Sequence, residues 1–221
     1  MKIHLNDTSV KKQISHLHYI SQGADGKTHL EHIERVLNAG CNWVQLRMKN
    51  TCYEEVLETA YRAKELCDQF DAKLIINDDV RVVQEVQAAG VHLGQHDMST
   101  AEARTILGDS KIIGGTANTL EQCLAHLKNG VDYIGLGPLR FTSTKEKLSP
   151  ILGITGYSQL LRQYLKSQNT VPVIAIGGIT SADFEPLKNC GLYGTAVSGL
   201  LTQSHNPEEP IKQASNLWQN F

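Results

Sequence analysis

The chain of 221 residues has only five cysteines, an odd number, and no C-x-x-C pair among them. This usage argues against a disulfide framework and favours a reduced, cytoplasmic setting. The sequence also lacks any apolar run long enough to cross a membrane. Residues 1–7 lack the apolar core of a signal peptide.

An excess of charge of one sign is absent as well. The formal net charge is −2, so nothing indicates bulk binding of nucleic acid or attachment to an anionic membrane surface. The expected partners are therefore small molecules, and an anionic ligand must be bound by local groups. Whether the chain forms a homo-oligomer is left open by the sequence.

No shift in composition marks a linker between domains. Strand patterns and helix patterns alternate with short connections, and the run at residues 73–77 is typical of a strand buried on both faces of a parallel sheet. Eight such units predict an α/β fold, a single (β/α)8 TIM barrel over residues 1–221. Residues 1–16 are expected to form an N-terminal extension or a first helix. Gly90 is expected to end the third helix of the barrel and also to begin the fourth strand, at residues 90–95.

Polar side chains stand at the predicted carboxyl ends of the strands, where such barrels place their active sites. In an extended chain Gln45, Arg47 and Lys49 point to one side. Long polar side chains on that side suit a strand that faces a polar cavity, although a solvated strand would show the same pattern.

Carboxylates end two further strands. Asp78 follows the third strand and Asp97 follows the fourth. Carboxylates at this position can hold a hard cation such as Mg²⁺, and each also has an ordinary interpretation as a helix N-cap. We interpret Asp78 and Asp97 as metal ligands and Asp79 as a cap.

Two segments have the donors that a phosphate requires. The loop Thr142-Ser143-Thr144-Lys145 offers three hydroxyls and one ammonium, and Gly177-Gly178 precedes a helix. Hydroxyls, backbone N–H groups and a lysine together suit an anion. The competing interpretation of residues 142–145 is an ordinary polar loop.

Five motifs occur in one order along the chain: Q-L-R-M-K, I-N-D-D, G-V-H-L-G-Q-H-D, G-L-G-P with the later T-S-T-K, and A-I-G-G-I. From about Leu17 to the C-terminus the sequence thereby resembles the thiamine phosphate synthase family. The resemblance implies a transferase that joins hydroxymethylpyrimidine diphosphate to a (carboxy)thiazole phosphate and releases pyrophosphate. It also implies Mg²⁺ as the cofactor and a pyrimidine-methylene cation on the reaction path.

The resemblance further implies the roles of individual residues. Those matching the pyrimidine-diphosphate site are Gln45, Arg47, Lys49, Asn77, Thr116 and Lys145, with Leu46 and Met48 of the same first motif. Those matching the thiazole-phosphate site are Thr142, Ser143, Thr144, Gly178, Val197 and Ser198. Asp78 and Asp97 match the metal ligands. Arg47, Lys49 and Lys145 would be catalytic, because cations stabilise the charge of the leaving pyrophosphate.

Two departures from the family pattern leave room for a different function. Asn118 stands where many members have histidine, and the turn at residues 194–198 is one residue shorter than usual. A related thiazole tautomerase uses a histidine at the first of these positions. Two further candidates are a non-catalytic barrel that binds a thiamine precursor and a generic sugar-phosphate barrel.

Overall fold

The computed structural model describes residues 12–141, 150–167 and 170–218, which form a closed barrel of eight parallel strands in sequence order. This confirms the predicted (β/α)8 fold. The strands are β1 (Leu17–Ile20), β2 (Trp43–Leu46), β3 (Lys73–Asn77), β4 (Gly90–Leu93), β5 (Ile112–Ala117), β6 (Tyr133–Leu136), β7 (Val173–Ala175) and β8 (Gly194–Val197). Residues 12–16, the described part of the predicted extension or helix, contain neither helix nor strand.

A helix follows every strand on the outside of the barrel. The helices are α1 (Gly26–Asn38), α2 (Tyr53–Gln69), α3 (Val80–Val86), α4 (Thr100–Leu107), α5 (Leu120–Lys128), α6 (Gly153–Tyr164), α7 (Phe184–Asn189), α8 (Gly199–Thr202) and α9 (Glu208–Trp218). Among the residues the structure describes, no helix has the length and apolar character needed to cross a membrane.

The third helix ends earlier than the sequence predicts. α3 stops at Val86, and Gln87 takes a left-handed conformation with its N–H bonded to the carbonyl of Val83. Gly90 opens β4, as the sequence also predicts, and a Cβ there would lie 2.0 Å from the carbonyl oxygen of Ile112 on β5. The prediction that Gly90 ends the helix is therefore wrong, since that glycine is required by the close approach of two strands.

Alternation along the strands decides which side chains face the barrel axis. Trp43, Ile75, Ile112, Tyr133 and Ile174, which come from five strands, pack together in one buried cluster inside the barrel. The residues between them pack outward against the helices. Because side chains alternate along a strand, the position two residues beyond an inward residue also faces the interior. The apolar cluster thus fills the barrel interior, and barrels of this kind place their active sites at the carboxyl ends of the strands.

Candidate active site

The end of β2 places polar groups on the interior face, as predicted. Gln45 lies two residues beyond the inward Trp43 and is only 5% exposed. The backbone N–H of Arg47 donates to Ser21 Oγ at 3.1 Å, and burial lowers the pKa of Arg47 while the charge of Asp78 opposes this. Lys49 donates from Nζ to Asp78 Oδ2 on the neighbouring strand end. Gln45 is therefore buried inside the barrel and Arg47 is half-buried, while Lys49 is exposed and pairs with Asp78 at the strand ends.

The two carboxyl groups predicted as metal ligands are in direct contact. Asp78 has a φ of +69°, and its backbone N–H donates to the carbonyl of His92 at 2.9 Å. Asp97 Oδ2 accepts from the N–H of Gly94 at 2.6 Å. A left-handed conformation is uncommon outside glycine and costs on the order of 1 kcal/mol, and such strain is concentrated at functional sites.

Titration of the pair reflects this contact. Burial, followed by the hydrogen bond with Asp97, raises the pKa of Asp78 to about 6. Burial also tends to raise the pKa of Asp97, but the hydrogen bonds from Asp78 and the Gly94 N–H outweigh it and hold that pKa below its usual range. Asp78 therefore takes up a proton at higher pH than an isolated aspartate does, because two neighbouring carboxylates repel each other when both are ionised.

This donor set fits Mg²⁺ bound together with a phosphorylated ligand. No group of three or more His, Cys, Asp or Glu side chains able to hold a metal occurs among the described residues. Mg²⁺, however, is usually bound by one or two carboxylates, with substrate phosphates and water completing its shell. Asp78 and Asp97 supply that number of carboxylates. Asp79, by contrast, accepts from the N–H of Arg81 at 2.9 Å and caps α3, which confirms its predicted role.

The interior face of the next strands carries Asn77 and Thr116. Asn77 ends β3 and pairs in register with His92. Thr116 lies inside β5, which continues to Ala117. The two nitrogens of His92 lie 2.9 Å from Thr116 Oγ1 and 3.0 Å from the hydroxyl of Tyr133. His92 thereby fixes the Thr116 hydroxyl, a contact that the sequence did not reveal.

The side chain of Asn118 connects two segments of the backbone. Its side-chain nitrogen donates to the carbonyl of Gly137 at 2.9 Å and to the carbonyl of Pro150 at 2.8 Å, and the residue is 7% exposed. The two carbonyls lie on either side of residues 142–149. The amide therefore ties the end of β6 to the start of α6.

Replacing this amide is expected to cost stability. Asn118→Ala should lower the free energy of unfolding by about 1–3 kcal/mol, because the buried carbonyl of Gly137 and the part-buried carbonyl of Pro150 lose their donor. Denaturant unfolding measures the change. Asn38→Ala removes a similar bond, from Asn38 to the Glu34 carbonyl, at an exposed site, and should cost less than about 1 kcal/mol. Equal losses in the two variants would contradict the role assigned to Asn118.

The region predicted to bind the thiazole phosphate is described in part. Gly177 and Gly178 both have positive φ, +89° and +69°, at the end of β7. Ser198 donates from Oγ to the carbonyl of Ile20 at 2.5 Å, so its hydroxyl joins the ends of β8 and β1. The predicted residues Thr142, Ser143, Thr144 and Lys145 lie outside the residues that the structure describes.

Three residues predicted to contact the substrates have side chains on the outer side of the barrel, toward the helices. Leu46 and Val197 are buried in the layer between strands and helices, and Met48 packs against that layer. Their side chains point away from the barrel interior. The prediction for Leu46 and Val197 can therefore concern only their main-chain atoms.

One cation near this end of the barrel was not predicted. Arg140 donates to the carbonyl of Gly178 at 2.6 Å and to both carboxylate oxygens of Asp183, at 2.6 and 2.7 Å. Its position two residues before the T-S-T-K loop was the feature of the sequence that could have indicated a role near the phosphate site. Its partner Asp183 could have been identified as the end of a T-x-x-D capping box.

Known proteins resemble this chain over most of its length. The family described as thiamine monophosphate synthase matches residues 17–201. A thiamine-phosphate synthase of Flavobacterium johnsoniae is 50% identical over 197 residues, which cover 89% of this chain and 93% of that protein. One from Phocaeicola vulgatus is 43% identical over 201 residues, covering 91% and 97%.

Solved structures show the same fold. The thiamine phosphate pyrophosphorylase of Pyrococcus furiosus aligns with a TM-score of 0.77 at 26% identity, covering 92% of this chain and 95% of that one. A 3-hexulose-6-phosphate synthase aligns with a TM-score of 0.68 at 13% identity, covering 92% and 99%. At that low identity the second likeness concerns the barrel alone.

Proposed function

The chain belongs to the thiamine monophosphate synthase family, and we propose that the carboxyl end of its barrel makes thiamine phosphate. The reaction joins hydroxymethylpyrimidine diphosphate to a thiazole phosphate and releases pyrophosphate, so the enzyme is a transferase; with a carboxylated thiazole phosphate the carboxylate must also leave as CO2. The observation that carries this proposal is the contact of Lys49, Asp78 and Asp97, which come from the ends of three adjacent strands. A cation and a carboxylate pair placed together suit a diphosphate that arrives with a divalent metal ion.

The first part of the reaction is the loss of pyrophosphate. The carbon–oxygen bond of the pyrimidine methylene breaks, and its electron pair leaves with the diphosphate oxygen. Arg47 and Lys49 would stabilise the charge that grows there, and the half-buried position of Arg47 would strengthen its interaction. Asp78 and Asp97 would hold Mg²⁺, which when bound supplies a Lewis acid for the leaving oxygens.

The second part is the attack of the thiazole nitrogen on the methylene carbon. The nitrogen supplies both electrons of the new bond, so no protein nucleophile and no general base is required. Gln45, Asn77 and Thr116 lie on the interior face and can position the pyrimidine. In that arrangement His92 has a positioning role, because it fixes the Thr116 hydroxyl.

The test is a reconstitution with purified protein. Both substrates and Mg²⁺ should give thiamine phosphate and an equal amount of pyrophosphate. Omission of either substrate should give neither product. Pyrophosphate release from the pyrimidine diphosphate alone, without thiamine phosphate, would contradict the proposal.

Thiazole phosphate incubated alone with the protein is expected to stay unchanged. Isomerisation would require a group that carries a proton near neutral pH, usually histidine. Asn118 does not titrate, and its amide is held by two carbonyls. His96 is exposed at a strand end and is the histidine to test. NMR of the thiazole phosphate would show any change, and isomerisation that disappears in His96→Ala would favour a tautomerase.

We further propose that the enzyme acts in the cytoplasm. All five cysteines are free, and Cys41, Cys67 and Cys123 are buried. Burial raises the pKa of the Cys41 thiol to about 11, which keeps it protonated and unreactive. These thiols suit a reducing compartment. Cell fractionation with an antibody to the native protein tests the location.

A further inference from the structure

Arg140 holds both peptide groups that flank Gly178. Its backbone N–H donates to the carbonyl of Gly177 at 3.3 Å. Its guanidinium donates to the carbonyl of Gly178 at 2.6 Å. The side chain also covers the glycine, since a Cβ on Gly178 would lie 2.5 Å from Arg140 Cγ.

These two bonds set the direction of two N–H groups. In a trans peptide the C=O and the following N–H point in opposite directions. The carbonyls of Gly177 and Gly178 point toward Arg140, so the N–H groups of Gly178 and Ile179 point away from it. Within the part of the chain that the structure describes, neither N–H donates to another group. Successive free N–H groups in a turn of this kind form a concave donor site for an anion.

The turn needs such a support because of its composition. Gly177 and Gly178 lie one after the other with φ of +89° and +69°. Glycine loses more conformational freedom than any other residue when its backbone is fixed, so two glycines in sequence are costly to hold in one conformation. A contact from outside the turn, established before the ligand binds, removes that cost from the binding step.

Asp183 in turn fixes Arg140. Its two carboxylate oxygens accept hydrogen bonds from different nitrogens of the guanidinium, at 2.6 and 2.7 Å. One of those oxygens also accepts the N–H and the hydroxyl of Thr180, at 2.7 and 2.8 Å. Asp183 is 7% exposed, so the pair is anchored in the protein. The carboxylate compensates much of the arginine charge, and what remains is the geometry of a planar fork.

We propose that Arg140 is a positioning residue for the phosphate of the thiazole substrate. It acts by holding the N–H groups of Gly178 and Ile179 toward that phosphate, and Asp183 sets its orientation. This inference rests on the proposed function, because the thiazole phosphate enters as the second substrate of that reaction.

The test compares the Michaelis constants of the two substrates in Arg140→Met and Arg140→Lys. Both variants should raise the constant for thiazole phosphate about ten- to a hundredfold, since the Gly178 carbonyl loses its guanidinium donor and the misplaced Ile179 N–H costs binding and orientation. The constant for the pyrimidine diphosphate should change by less than about twofold, because the described residues matched to that substrate lie on or directly after β2, β3 and β5 and do not contact Arg140. Arg140→Lys keeps the charge but cannot make the forked contact, so it should not rescue the loss. Full rescue by lysine would overturn the positioning role.

Arg104→Met is the matched control. Arg104 forms a comparable clamp at the other end of the barrel, with Asp132 at 2.7 Å and the carbonyls of Gly108 and Lys111 at 2.8 and 2.7 Å. It should lower the unfolding midpoint while both Michaelis constants stay unchanged. Equal changes of both constants in Arg140→Met and Arg104→Met would show a general loss of stability and overturn the inference.

A binding measurement completes the test for any variant that is folded but slow. Calorimetry with thiazole phosphate and with the unphosphorylated thiazole alcohol should show a weaker phosphate ligand in Arg140→Met and Asp183→Asn, with the alcohol unaffected. Unchanged affinity for the phosphate would overturn the inference even when the wild-type protein makes thiamine phosphate. A wild-type protein that makes no thiamine phosphate would refute the proposed function first, so the two failures are distinguishable.

Discussion

Asp78→Ala is expected to lower kcat/KM by about a thousandfold, because electrostatic groups aimed at the developing charge contribute several kcal/mol to the transition state. The variant removes a carboxyl group that contacts both Asp97 and Lys49. It would therefore abolish one of two metal ligands and release the lysine from its partner. EDTA should abolish turnover by the wild-type enzyme, and excess Mg²⁺ should restore it.

A neighbouring residue provides the control for this experiment. Asp79 follows Asp78 directly, but its carboxylate caps α3 through the N–H of Arg81. Asp79→Ala should cost about 1 kcal/mol of stability, the usual effect of losing a cap, with turnover largely kept. Full activity of Asp97→Ala in EDTA would disprove the metal site.

Metal binding should also be visible without turnover. Mn²⁺ titrated into the protein in the presence of pyrophosphate is expected to give a bound spectrum by electron paramagnetic resonance. In Asp78→Ala the bound fraction should fall at least about tenfold, because a hard cation loses one of its two protein oxygen ligands. An unchanged spectrum would place the ion elsewhere.

The barrel could be predicted because burial leaves a pattern in the sequence. Strands covered on both faces are nearly continuous runs of apolar residues, as at β3, and glycines and turn residues separate them from the helices. The errors lie at element ends. Gly90 has the composition of a helix stop, yet its position is decided by the backbone of β5, which local sequence does not encode.

The site was predictable to the extent that it depends on position along a strand. Asp78 and Asp97 follow two neighbouring strands, and parallel order brings those ends together. The same alternation that directs Gln45 inward directs Leu46 outward, so the orientation of Leu46 was available from the sequence as well.

The pairing of Arg140 with Asp183 had no such signal. The residues are 43 positions apart and meet only because β6 and β7 are adjacent in the barrel. Hydrogen bonds from side chains to distant carbonyls, such as those of Asn118, have no period that a sequence could show. The roles predicted for residues 142–145 stay predictions, because those residues lie outside the described part of the chain.

Gly178→Val is expected to raise the Michaelis constant for thiazole phosphate more than about a hundredfold, since a misplaced binding group far from the reacting bond has effects of that size. A Cβ at this position would lie 2.5 Å from Arg140 Cγ and 3.0 Å from the carbonyl oxygen of Phe141. The valine would displace Arg140 from the Gly178 carbonyl and disturb the two N–H groups beside it. The Michaelis constant for the pyrimidine diphosphate should stay within about twofold of wild type. The nearest neighbours of a side chain at position 178 are Arg140 and Phe141, and neither is matched to that substrate. Lys49→Ala should show the opposite selectivity.

Backbone strain must be separated from this effect, because a β-branched residue at a φ of +69° is strained wherever it occurs. Gly108→Val provides the comparison: Gly108 has a φ of +67°, and nothing lies within 4 Å of its added Cβ. It ends α4, away from the strand ends that form the site. Both variants should lose stability, on the order of 1–3 kcal/mol, because both place a side chain at a positive φ, while only Gly178→Val should affect thiazole phosphate. If Gly178→Val changed only the constant for the pyrimidine diphosphate, the assignment of the two phosphate sites would be wrong, and the turn after β7 would belong to the leaving pyrophosphate.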